Sequence, residues 1–551
     1  MKQRVTKLPK LAALFAALGM LPVMPVMPAS AKTVEQLVGY VGDLNGDMSV
    51  SLWDAFIMRD FLQGVPNMEF TVEQGDLNGN GWVDAGDLTM LKRQVLNGEE
   101  PQGIYETVEV EDAPELMEAP ISALGASLPS TGEPKILMVA VNFPDCKFWE
   151  YNVDQQLAEI CFGEEKPDDN AYPMESISAF YRRASYGRLN LQGVVEMYDA
   201  KYSINDDADD ANVLVDEVLR RLTEKGVYNL NDFDSNGDKV LDSIILVLPE
   251  KAAEIDRNGD GSSDWWPYTN SYWGHGGVYN GVRAGKFCIG AYDYHEHAGF
   301  NSTWIHELGH AMGLPDYYKY QTDGVESIYG MNGNAGWEIM DDALADFSAF
   351  SKLMLGWYTE DEVQVYTGGT QNYTLRSSQE APNCILIPRY AENGFLSEYF
   401  IVEYVTPNQN NTFGYYYGER YQMFKNGGIR VLHCLADVGV GLYGVELSWN
   451  NYGLHYDTSN RKQRVLRLVN EAEGGDFFQP YNRNRTIDSR ISGFRWYDES
   501  GYQTVETGLT IKVNELLNGG GEDPNPESSV PETWRANSAE GSVYSITISD
   551  S

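Results

Sequence analysis

Apolar positions along this chain predict mixed helices and strands through its middle. Residues 135–143 and 243–248 are continuous apolar runs bounded by turn residues, which is the pattern of buried strands. Apolar residues at helical spacing predict helices at 176–187, 213–222 and 301–313. Because helices and strands alternate here, we expect an α/β domain in this part of the chain.

The last third of the chain has a different pattern, in which short alternating segments are separated by turn residues. This pattern predicts strands at 399–404, 429–433, 465–469, 509–513 and 544–548. We therefore expect a multidomain protein, in which the α/β domain covers residues 135–360 and a β-sandwich-like domain covers residues 361–551.

The first 31 residues have the composition of a secretory signal peptide. Basic residues precede an apolar run at 11–20, and Ala29, Ser30 and Ala31 offer a small-residue cleavage site. The basic residues are Lys2, Arg4, Lys7 and Lys10. The apolar run is too short for a membrane span, and no later stretch approaches one. We expect cleavage after Ala31 and a secreted, extracellular protein.

The composition limits the classes of binding partner that this protein could have. A net charge of −41 over 551 residues argues against nucleic acid or an anionic membrane surface as a partner, and it suits calcium binding. The cysteines are Cys146, Cys161, Cys288, Cys384 and Cys434. Their odd number leaves at least one unpaired, and their spacing predicts no disulfide framework. Export permits disulfides without requiring them.

Two segments near the N-terminus, 43–54 and 76–87, repeat at a spacing of 33 residues. Each has oxygen-bearing side chains at loop positions 1, 3, 5, 9 and 12, and Ca²⁺ takes about six to eight oxygens from such a tightly turned loop. Including position 7, the candidate ligands are Asp43, Asn45, Asp47, Ser49, Ser51 and Asp54, and Asp76, Asn78, Asn80, Trp82, Asp84 and Asp87. A helical pattern follows each loop, and no convincing helix precedes either. We expect two calcium ions.

This duplicated loop–helix unit resembles a dockerin, the module that attaches secreted enzymes to cohesins of a cellulosome-type scaffold. The resemblance implies a small α domain over residues 32–98, calcium-dependent folding and a cohesin partner. Residues at the family's cohesin-contact positions, Leu52 and Trp53 in one loop and Ala85 and Gly86 in the other, differ from the familiar Ser/Thr pairs. The scaffold specificity therefore stays open, as does the alternative of a calcium-stabilised spacer without a partner.

Residues 99–134 are acidic and proline-rich, with nine acids, five prolines and no Lys or Arg. Such a composition predicts an extended, flexible segment that does not bury enough apolar surface to fold. We expect a linker between the dockerin-like unit and the α/β domain.

The most specific motif is His306-Glu307-Leu308-Gly309-His310. On a helix, residues i and i+4 share one face, so both imidazoles can bind one zinc ion while Glu307 acts as general base. Gly313 and Asp316 extend the motif with a glycine that turns the chain and a third candidate ligand. The alternative is a solvated helix with two unrelated histidines, which requires all these matches to coincide. The motif predicts a catalytic zinc site.

Residues 135–360 resemble the M6 family of secreted metallopeptidases, the immune inhibitor A group of the metzincins. The resemblance is carried by blocks at 141–145, 176–193, 306–318, 336–342 and 347–357. It implies an α/β metzincin-like domain that cleaves peptide bonds in proteins with one zinc ion. It also implies zinc ligands His306, His310 and Asp316, the base Glu307, and Met340 beneath the metal. The rival interpretation is a catalytically silent zincin-fold protein that binds partners on the scaffold, and a zymogen step stays open.

Two acidic loops, 234–242 and 256–264, share the pattern D-x-N-G-D-x-x-x-D. The candidate ligands are Asp234, Asn236, Asp238 and Asp242 in the first loop, and Asp256, Asn258, Asp260 and Asp264 in the second. The spacing predicts structural calcium in at least one of them, against the alternative of ordinary Asx-rich turns.

Overall fold

The chain is a multidomain, mixed α/β protein that divides into two compact units in the computed structural model. The first unit is Met1–Pro114 with Val438–Glu446, and the second is Glu115–Asp437 with Leu447–Ser551. The structure describes residues 32–44, 50, 52–63, 70–97, 102–110, 126–205, 211–257, 259, 263–271, 278–291, 293–317, 338–341, 343–390, 395–406, 408–412, 415–416, 428–441, 444–447, 465–469, 486–517 and 543–550. The predicted signal peptide lies outside them. No helix in these ranges is both long and apolar enough to cross a bilayer.

The first unit is built on two helices that pack around a small apolar core. Its elements before residue 114 are β1 (Lys32–Tyr40), α1 (Leu52–Leu62), α2 (Val72–Gly75), α3 (Ala85–Asn97) and β2 (Gly103–Val110). Met58 of α1 and Leu91 of α3 are fully buried in this core. The one-turn helix α2 precedes the second loop, where the pattern predicted none. A capping box between Thr71 and Gln74 stabilises it by satisfying backbone N–H groups at its start.

The prediction of a flexible linker over residues 99–134 is wrong for two stretches. Gly103–Val110 forms β2, which pairs antiparallel with β1. Residues 126–134 pack within the second unit, where Leu128 is buried. The Ile, Tyr, Thr and Val residues of 103–110 favour a strand. The prediction missed them because it rested on the acids and prolines of the whole segment. Residues 111–125 lie outside the described residues.

The second unit begins with a five-stranded sheet and the helices that pack on it. The strands of this region, two of which lie outside the sheet, are β3 (Lys135–Asn142), β4 (Gln192–Asp199), β5 (Ile244–Leu248), β6 (Tyr268–Ser271), β7 (Val278–Tyr279), β8 (Val282–Arg283) and β9 (Lys286–Ala291). Its helices are α4 (Val153–Phe162), α5 (Ile177–Ala184), α6 (Ala211–Glu224), α7 (His297–Ala311) and α8 (Ala349–Met354).

The order of the large sheet is β4-β3-β5-β9-β6, and β7 and β8 form a separate ladder. The neighbours pair in parallel except at β6, which runs antiparallel to β9 and occupies one edge. The buried runs predicted at 135–143 and 243–248 coincide with β3 and β5. The helix predicted at 301–313 is α7, which begins four residues earlier, at His297, and ends at Ala311.

Shorter 3₁₀ helices connect these elements and those that follow. They are Leu230–Phe233, Glu250–Glu254, Ile339–Asp341, Glu360–Glu362 and Gln409–Asn411. Among them, Ile339–Asp341 contributes to the candidate metal centre, because it lies against α7.

The remaining strands form two larger sheets and several two-stranded ladders. They are β10 (Ala343–Leu344), β11 (Val363–Val365), β12 (Gln371–Arg376), β13 (Cys384–Pro388), β14 (Glu398–Val405), β15 (Tyr415–Tyr416), β16 (Gly428–Leu435), β17 (Val438–Gly441), β18 (Gly444–Leu447), β19 (Leu466–Leu468), β20 (Thr486–Ile487), β21 (Arg495–Tyr497), β22 (Gln503–Glu506), β23 (Leu509–Leu517) and β24 (Val543–Asp550). The strands predicted in this region coincide with β14, β16, β19, β23 and β24.

One sheet has the order β11-β13-β14-β16-β19 and the other has the order β12-β24-β23-β20. A single apolar cluster takes Phe400 and Val431 from the first sheet and Ile511 and Ile546 from the second. The inward-facing residues of both sheets therefore share one core.

The predicted boundary between residues 360 and 361 falls inside the second unit. A buried polar network joins residues from both sides of it. Asp346 accepts hydrogen bonds from Lys352 Nζ at 2.5 Å, from Gln379 Nε2 at 2.8 Å and from Asn410 Nδ2 at 3.1 Å. Lys352 lies on the same side of the boundary as Asp346, whereas Gln379 and Asn410 lie beyond it. Leaving a buried polar group unpaired costs about 1–3 kcal/mol, so these two bonds help to join the two regions.

Candidate metal centre

Helix α7 brings His306 and His310 onto one face, as the motif predicted. Their ring centroids are 4.8 Å apart. Asp316 joins them, because its Oδ1 lies 2.9 Å from His306 Nε2 and 3.2 Å from His310 Nε2. One donor atom from each of the three residues lies within 4.8 Å of the other two, so the group could hold a metal ion.

A tight turn at the end of α7 delivers Asp316 to the histidines. Gly313 adopts a left-handed conformation with φ of +101°, which favours glycine after a helix end. The following Leu314 donates its N–H to the carbonyl oxygen of Gly309 at 3.0 Å. The chain then reverses, and Asp316 returns to the helix face that bears the histidines. The glycine of the extended motif therefore has a conformational role.

Backbone carbonyl groups fix the tautomer of both imidazoles. His306 Nδ1 lies 2.8 Å from the carbonyl oxygen of Ile339, and His310 Nδ1 lies 2.7 Å from that of Leu314. A carbonyl oxygen only accepts hydrogen bonds, so each Nδ1 carries the proton. Each Nε2 is thereby directed toward Asp316, where it can donate a proton to the carboxylate or offer its lone pair to an ion, which is the arrangement typical of metal-ligating histidines.

Met340 packs directly against α7 between the two histidines. A Cβ atom on Gly309 would lie 2.5 Å from Met340 Sδ, so only glycine permits this approach. The next contact is Tyr317 N–H, which donates to the carbonyl oxygen of Met340 at 2.9 Å. Met340 therefore packs against the helix segment between the two histidines, and its role beneath a metal ion stays a prediction.

A buried carboxylate, Glu338, organises the turn that contains Met340. It accepts from Met340 N at 3.3 Å, from Ser348 N at 2.8 Å and from Ser351 Oγ at 2.9 Å. Burial raises the pKa of Glu338 to about 7, and these donors oppose the rise. No motif marks Glu338, and only the tertiary fold reveals its role in positioning the turn.

Glu307 is buried beside the edge strand β6. Thr269 Oγ1 lies 2.8 Å from Glu307 Oε2 and 2.8 Å from the carbonyl oxygen of Glu307. Cys288 Sγ is 3.2 Å from the same hydroxyl, and burial raises the pKa of this thiol to about 12. The thiol therefore keeps its proton and can donate to Thr269, which in turn donates to Glu307. Sequence reasoning missed Thr269, because no sequence motif surrounds it.

The electrostatics of the cluster favour positive charge. Burial opposes ionisation of Asp316, yet the neighbouring imidazoles hold its pKa well below the usual range. Burial likewise opposes a charged His306, yet Asp316 raises the pKa of that imidazole to about 10. A site that stabilises protons so strongly also suits a divalent cation that takes their place.

The donor set fits zinc. Two imidazole nitrogens and one carboxylate oxygen are ordinary zinc ligands. With zinc–ligand bonds of about 2.0–2.1 Å in a tetrahedron, neighbouring donor atoms are roughly 3.3 Å apart. Asp316 Oδ1 lies at 2.9 Å and 3.2 Å from the two imidazole nitrogens, close to that spacing. Small adjustments would therefore let these three residues hold the ion.

The second repeat loop has all its predicted ligands within the described residues. Asp87 is fully buried and accepts from Asn78 N at 3.1 Å and from Asp84 N at 2.7 Å. Asp76 accepts from Asn80 N at 3.0 Å. Trp82, at position 7, is partly exposed. The chain therefore wraps around the first and last carboxylates of the loop, as a calcium loop requires.

The first repeat loop is described only at its ends. Asp43 and Asp54 are both fully buried, and Leu44 N–H donates to Asp54 Oδ1 at 2.9 Å. The other predicted ligands of this loop, Asn45, Asp47, Ser49 and Ser51, lie outside the described residues.

The two acidic loops of the second unit differ in what surrounds their carboxylates. In 234–242, burial and the charges of Asp234 and Asp238 raise the pKa of Asp242 to about 6. In 256–264, hydrogen bonds from Arg257 lower the pKa of Asp264. The candidate ligands Asn258 and Asp260 lie outside the described residues.

Comparison with known families identifies the first unit's loops. Residues 41–96 match the dockerin type I domain, and this segment is a dockerin. Dockerins bind calcium and indicate a cohesin as partner, and proteins that carry them are typically extracellular and scaffold-associated. A search of curated proteins found no match.

All five cysteines lie in described parts of the chain, and each is free and buried. The structure therefore contains no disulfide among these five cysteines.

Proposed function

We propose that this protein is a zinc-dependent endopeptidase, attached through its dockerin to cohesins of a cellulosome-type extracellular scaffold. The convergence of His306, His310 and Asp316 next to Glu307 carries the proposal. In this proposal residues 135–360 form a metzincin-like domain of the M6 type, and the two sheets that share one core form a β-sandwich. The substrates are proteins or peptides.

The chemistry divides between the ion and the chain. Zinc held by three protein ligands would supply the Lewis acidity that activates water and polarises a peptide carbonyl. Glu307 accepts the proton from water at its carboxylate and later donates it to the leaving amine. The hydrogen bond from Thr269 holds that carboxylate at 2.8 Å, so the base needs little reorganisation.

The edge strand β6 supports the assignment of an extended peptide as substrate. Among the described strands, β6 ends the sheet and pairs on one side only, with β9. An extended peptide can add to such an edge through main-chain hydrogen bonds. Because Thr269 belongs to β6 and contacts Glu307, a peptide bound along this edge would pass close to the proposed base.

The decisive experiment compares the wild-type chain with Glu307→Gln, in zinc content and in hydrolysis of a quenched fluorescent peptide. The substitution keeps the size of the side chain and removes its basicity. We expect one zinc ion per chain in both proteins, and cleavage by the wild type alone.

Two outcomes would overturn the assignment in different ways. Equal turnover by the zinc-loaded Gln variant would remove Glu307 from the mechanism. Zinc in both proteins with cleavage by neither would favour the second candidate, a catalytically silent zincin-fold binding protein. The intact ligand set and base favour the enzyme.

Attachment is tested separately, with cohesins immobilised on a surface. We expect capture of the protein in calcium and its release by a chelator, because the dockerin fold depends on the ion. Absence of capture by every cohesin tested would leave the dockerin as a calcium-stabilised spacer.

A further inference from the structure

The second unit contains a loop whose backbone follows that of a calcium loop elsewhere in the same chain. We infer that residues 234–242, here named the buried acidic loop, bind one calcium ion, whereas residues 256–264, the arginine-paired loop, do not. This site is separate from the zinc cluster, and it does not depend on the proposed peptidase activity.

The backbone of the buried acidic loop turns at the same positions as the second dockerin loop. At position 4, Gly237 has φ of +76° and Gly79 has φ of +69°. At position 6, Lys239 has φ of +68° and Gly81 has φ of +83°. A lysine rarely adopts a left-handed conformation, so the loop keeps this turn at some cost in strain.

Corresponding side chains also make the same hydrogen bonds to the backbone. In both loops, position 5 donates its N–H to the side-chain oxygen of position 3, position 7 donates to position 5, and position 6 donates to position 1. In the buried acidic loop these bonds are Asp238 N to Asn236 Oδ1 at 3.1 Å, Val240 N to Asp238 Oδ1 at 2.7 Å, and Lys239 N to Asp234 Oδ2 at 3.2 Å. In the dockerin they are Asn80 N to Asn78 Oδ1 at 3.1 Å, Trp82 N to Asn80 Oδ1 at 2.9 Å, and Gly81 N to Asp76 Oδ2 at 2.5 Å.

An independent observation points to an ion in the loop. Asp234, at position 1, is only 7% exposed, and within the described chain its buried Oδ1 has no hydrogen-bond partner. A buried carboxylate oxygen without a partner is costly, and a bound cation removes that cost. Position 1 is a calcium ligand in loops of this spacing.

The other carboxylates of the loop add to the demand for a cation. Asp242, at position 9, is fully buried, and both of its oxygens lie 3.2 Å from the backbone N–H of Ser235. Lys239 places its Nζ 3.4 Å from Asp234 Oδ2, but its side chain is 59% exposed. The ammonium therefore neutralises the cluster from outside and leaves Oδ1 of Asp234 without a partner.

The arginine-paired loop shows the opposite situation with the same sequence pattern. Asp264, at position 9, accepts from the backbone N–H of Arg257 at 3.0 Å and from its Nε at 2.7 Å. The guanidinium lies against the carboxylate that a calcium ion would need. Because a side chain of the loop itself supplies the cation, this loop has less to gain from calcium.

The buried acidic loop is also linked by hydrogen bonds to the end of α7. The carbonyl oxygen of Asp242 accepts from Ser127 Oγ at 2.9 Å, and Ser127 N–H donates to the carbonyl oxygen of Ala311 at 3.1 Å. Ala311 is the last residue of α7, directly after His310. An ion that fixes Asp242 thus stabilises the segment that holds the end of α7.

The test measures calcium bound by the full-length protein, in the wild type, in Asp242→Asn and in Asp264→Asn as a matched control from the other loop. Each variant changes a position-9 carboxylate to its near-isosteric amide. After dialysis against calcium, we expect Asp242→Asn to hold one calcium ion fewer than the wild type, and Asp264→Asn to hold as many. Equal calcium in all three proteins would overturn the inference.

Thermal unfolding of the second unit gives a second readout, in which the shift of unfolding temperature caused by Asp242→Asn should have opposite signs in chelator and in calcium. In a chelator, Asp242→Asn should unfold at a higher temperature than the wild type, because it removes one of several crowded carboxylates. In calcium it should unfold at a lower temperature, because it loses a ligand. The dockerin ions are the same in both proteins. An equal shift in both conditions would mean a structural role without calcium and would overturn the inference; Asp234→Asn provides the same comparison if Asp242→Asn does not fold.

Discussion

The second dockerin loop and the candidate zinc site both gather ligands from a short segment, but they depend on very different amounts of the fold. In the loop, the contacts of Asp87 with Asn78 and Asp84 all come from twelve consecutive residues, 76–87. At the candidate zinc site, the contact of His306 with Ile339 spans 33 residues and that of Glu307 with Thr269 spans 38. The contacts that position a calcium loop thus lie within the loop, whereas those that position the candidate zinc site come from distant parts of the chain.

The largest expected effect comes from removing a proposed ligand at the candidate zinc site. Asp316→Asn keeps the volume of the side chain but removes the charge that balances the ion between two neutral imidazoles. Removing an outer-shell partner costs about 10–100-fold in metal affinity, and we expect a ligand to cost more than about 100-fold. Competition with a chromogenic chelator measures the affinity.

Asp361→Asn is the matched control for this change, because Asp361 is an exposed acid of the same unit. It should bind zinc like the wild type. If Asp316→Asn also bound zinc like the wild type, Asp316 would not be a ligand, and the third ligand would have to come from residues outside the motif.

A smaller effect is expected from breaking the long-range support of the base. Thr269→Val preserves the shape of the side chain and removes the hydroxyl that lies 2.8 Å from Glu307 Oε2. We expect peptide hydrolysis to fall about 10–100-fold, the range for outer-shell partners, with zinc content unchanged. The measurement is kcat/KM on a peptide substrate together with metal analysis.

Thr269→Ser distinguishes the hydrogen bond from packing, because it restores the hydroxyl and omits only the methyl group. The serine variant should recover most of the activity. Full activity in Thr269→Val would show that Glu307 needs no help from β6, and the zinc site would then be nearly as self-contained as a calcium loop.

The same distinction explains which features were predictable from sequence. Ligands that lie close together in the chain, such as His306 and His310 or Asp76 and Asp87, follow from spacing, because local geometry decides which side chains meet. Strands β3, β5 and β14 were predictable too, since burial on both faces or alternation leaves a clear apolar pattern. The start of α7 was placed four residues late, because the N-cap residue Glu296 makes no side-chain capping hydrogen bond and so does not mark the start.

The features that sequence reasoning missed depend on distant partners. Thr269 and Glu338 are ordinary residues until the fold brings them to Glu307 and Met340. The residues of strand β2 were predicted to be linker, because the strand forms by pairing with β1, which is distant in sequence. The two acidic loops share one sequence pattern, and they differ in the two hydrogen bonds that Arg257 donates to Asp264.

The smallest expected effect is in the dockerin, at a position where the side chain should matter little. In a calcium loop, position 7 binds the ion through its backbone carbonyl oxygen, so Trp82→Ala leaves the ligand atom in place. Trp82 is 44% exposed, and a substitution at such a surface position usually changes stability by less than about 0.5 kcal/mol. We expect the calcium affinity of this loop to change by no more than about 2-fold, measured by calorimetry.

Asp87→Asn provides the contrast, because it alters a fully buried carboxylate at position 12 and should abolish binding at this loop. Loss of calcium in Trp82→Ala would mean that the indole ring supports the loop from outside, and the claim that the loop carries its own support would be wrong.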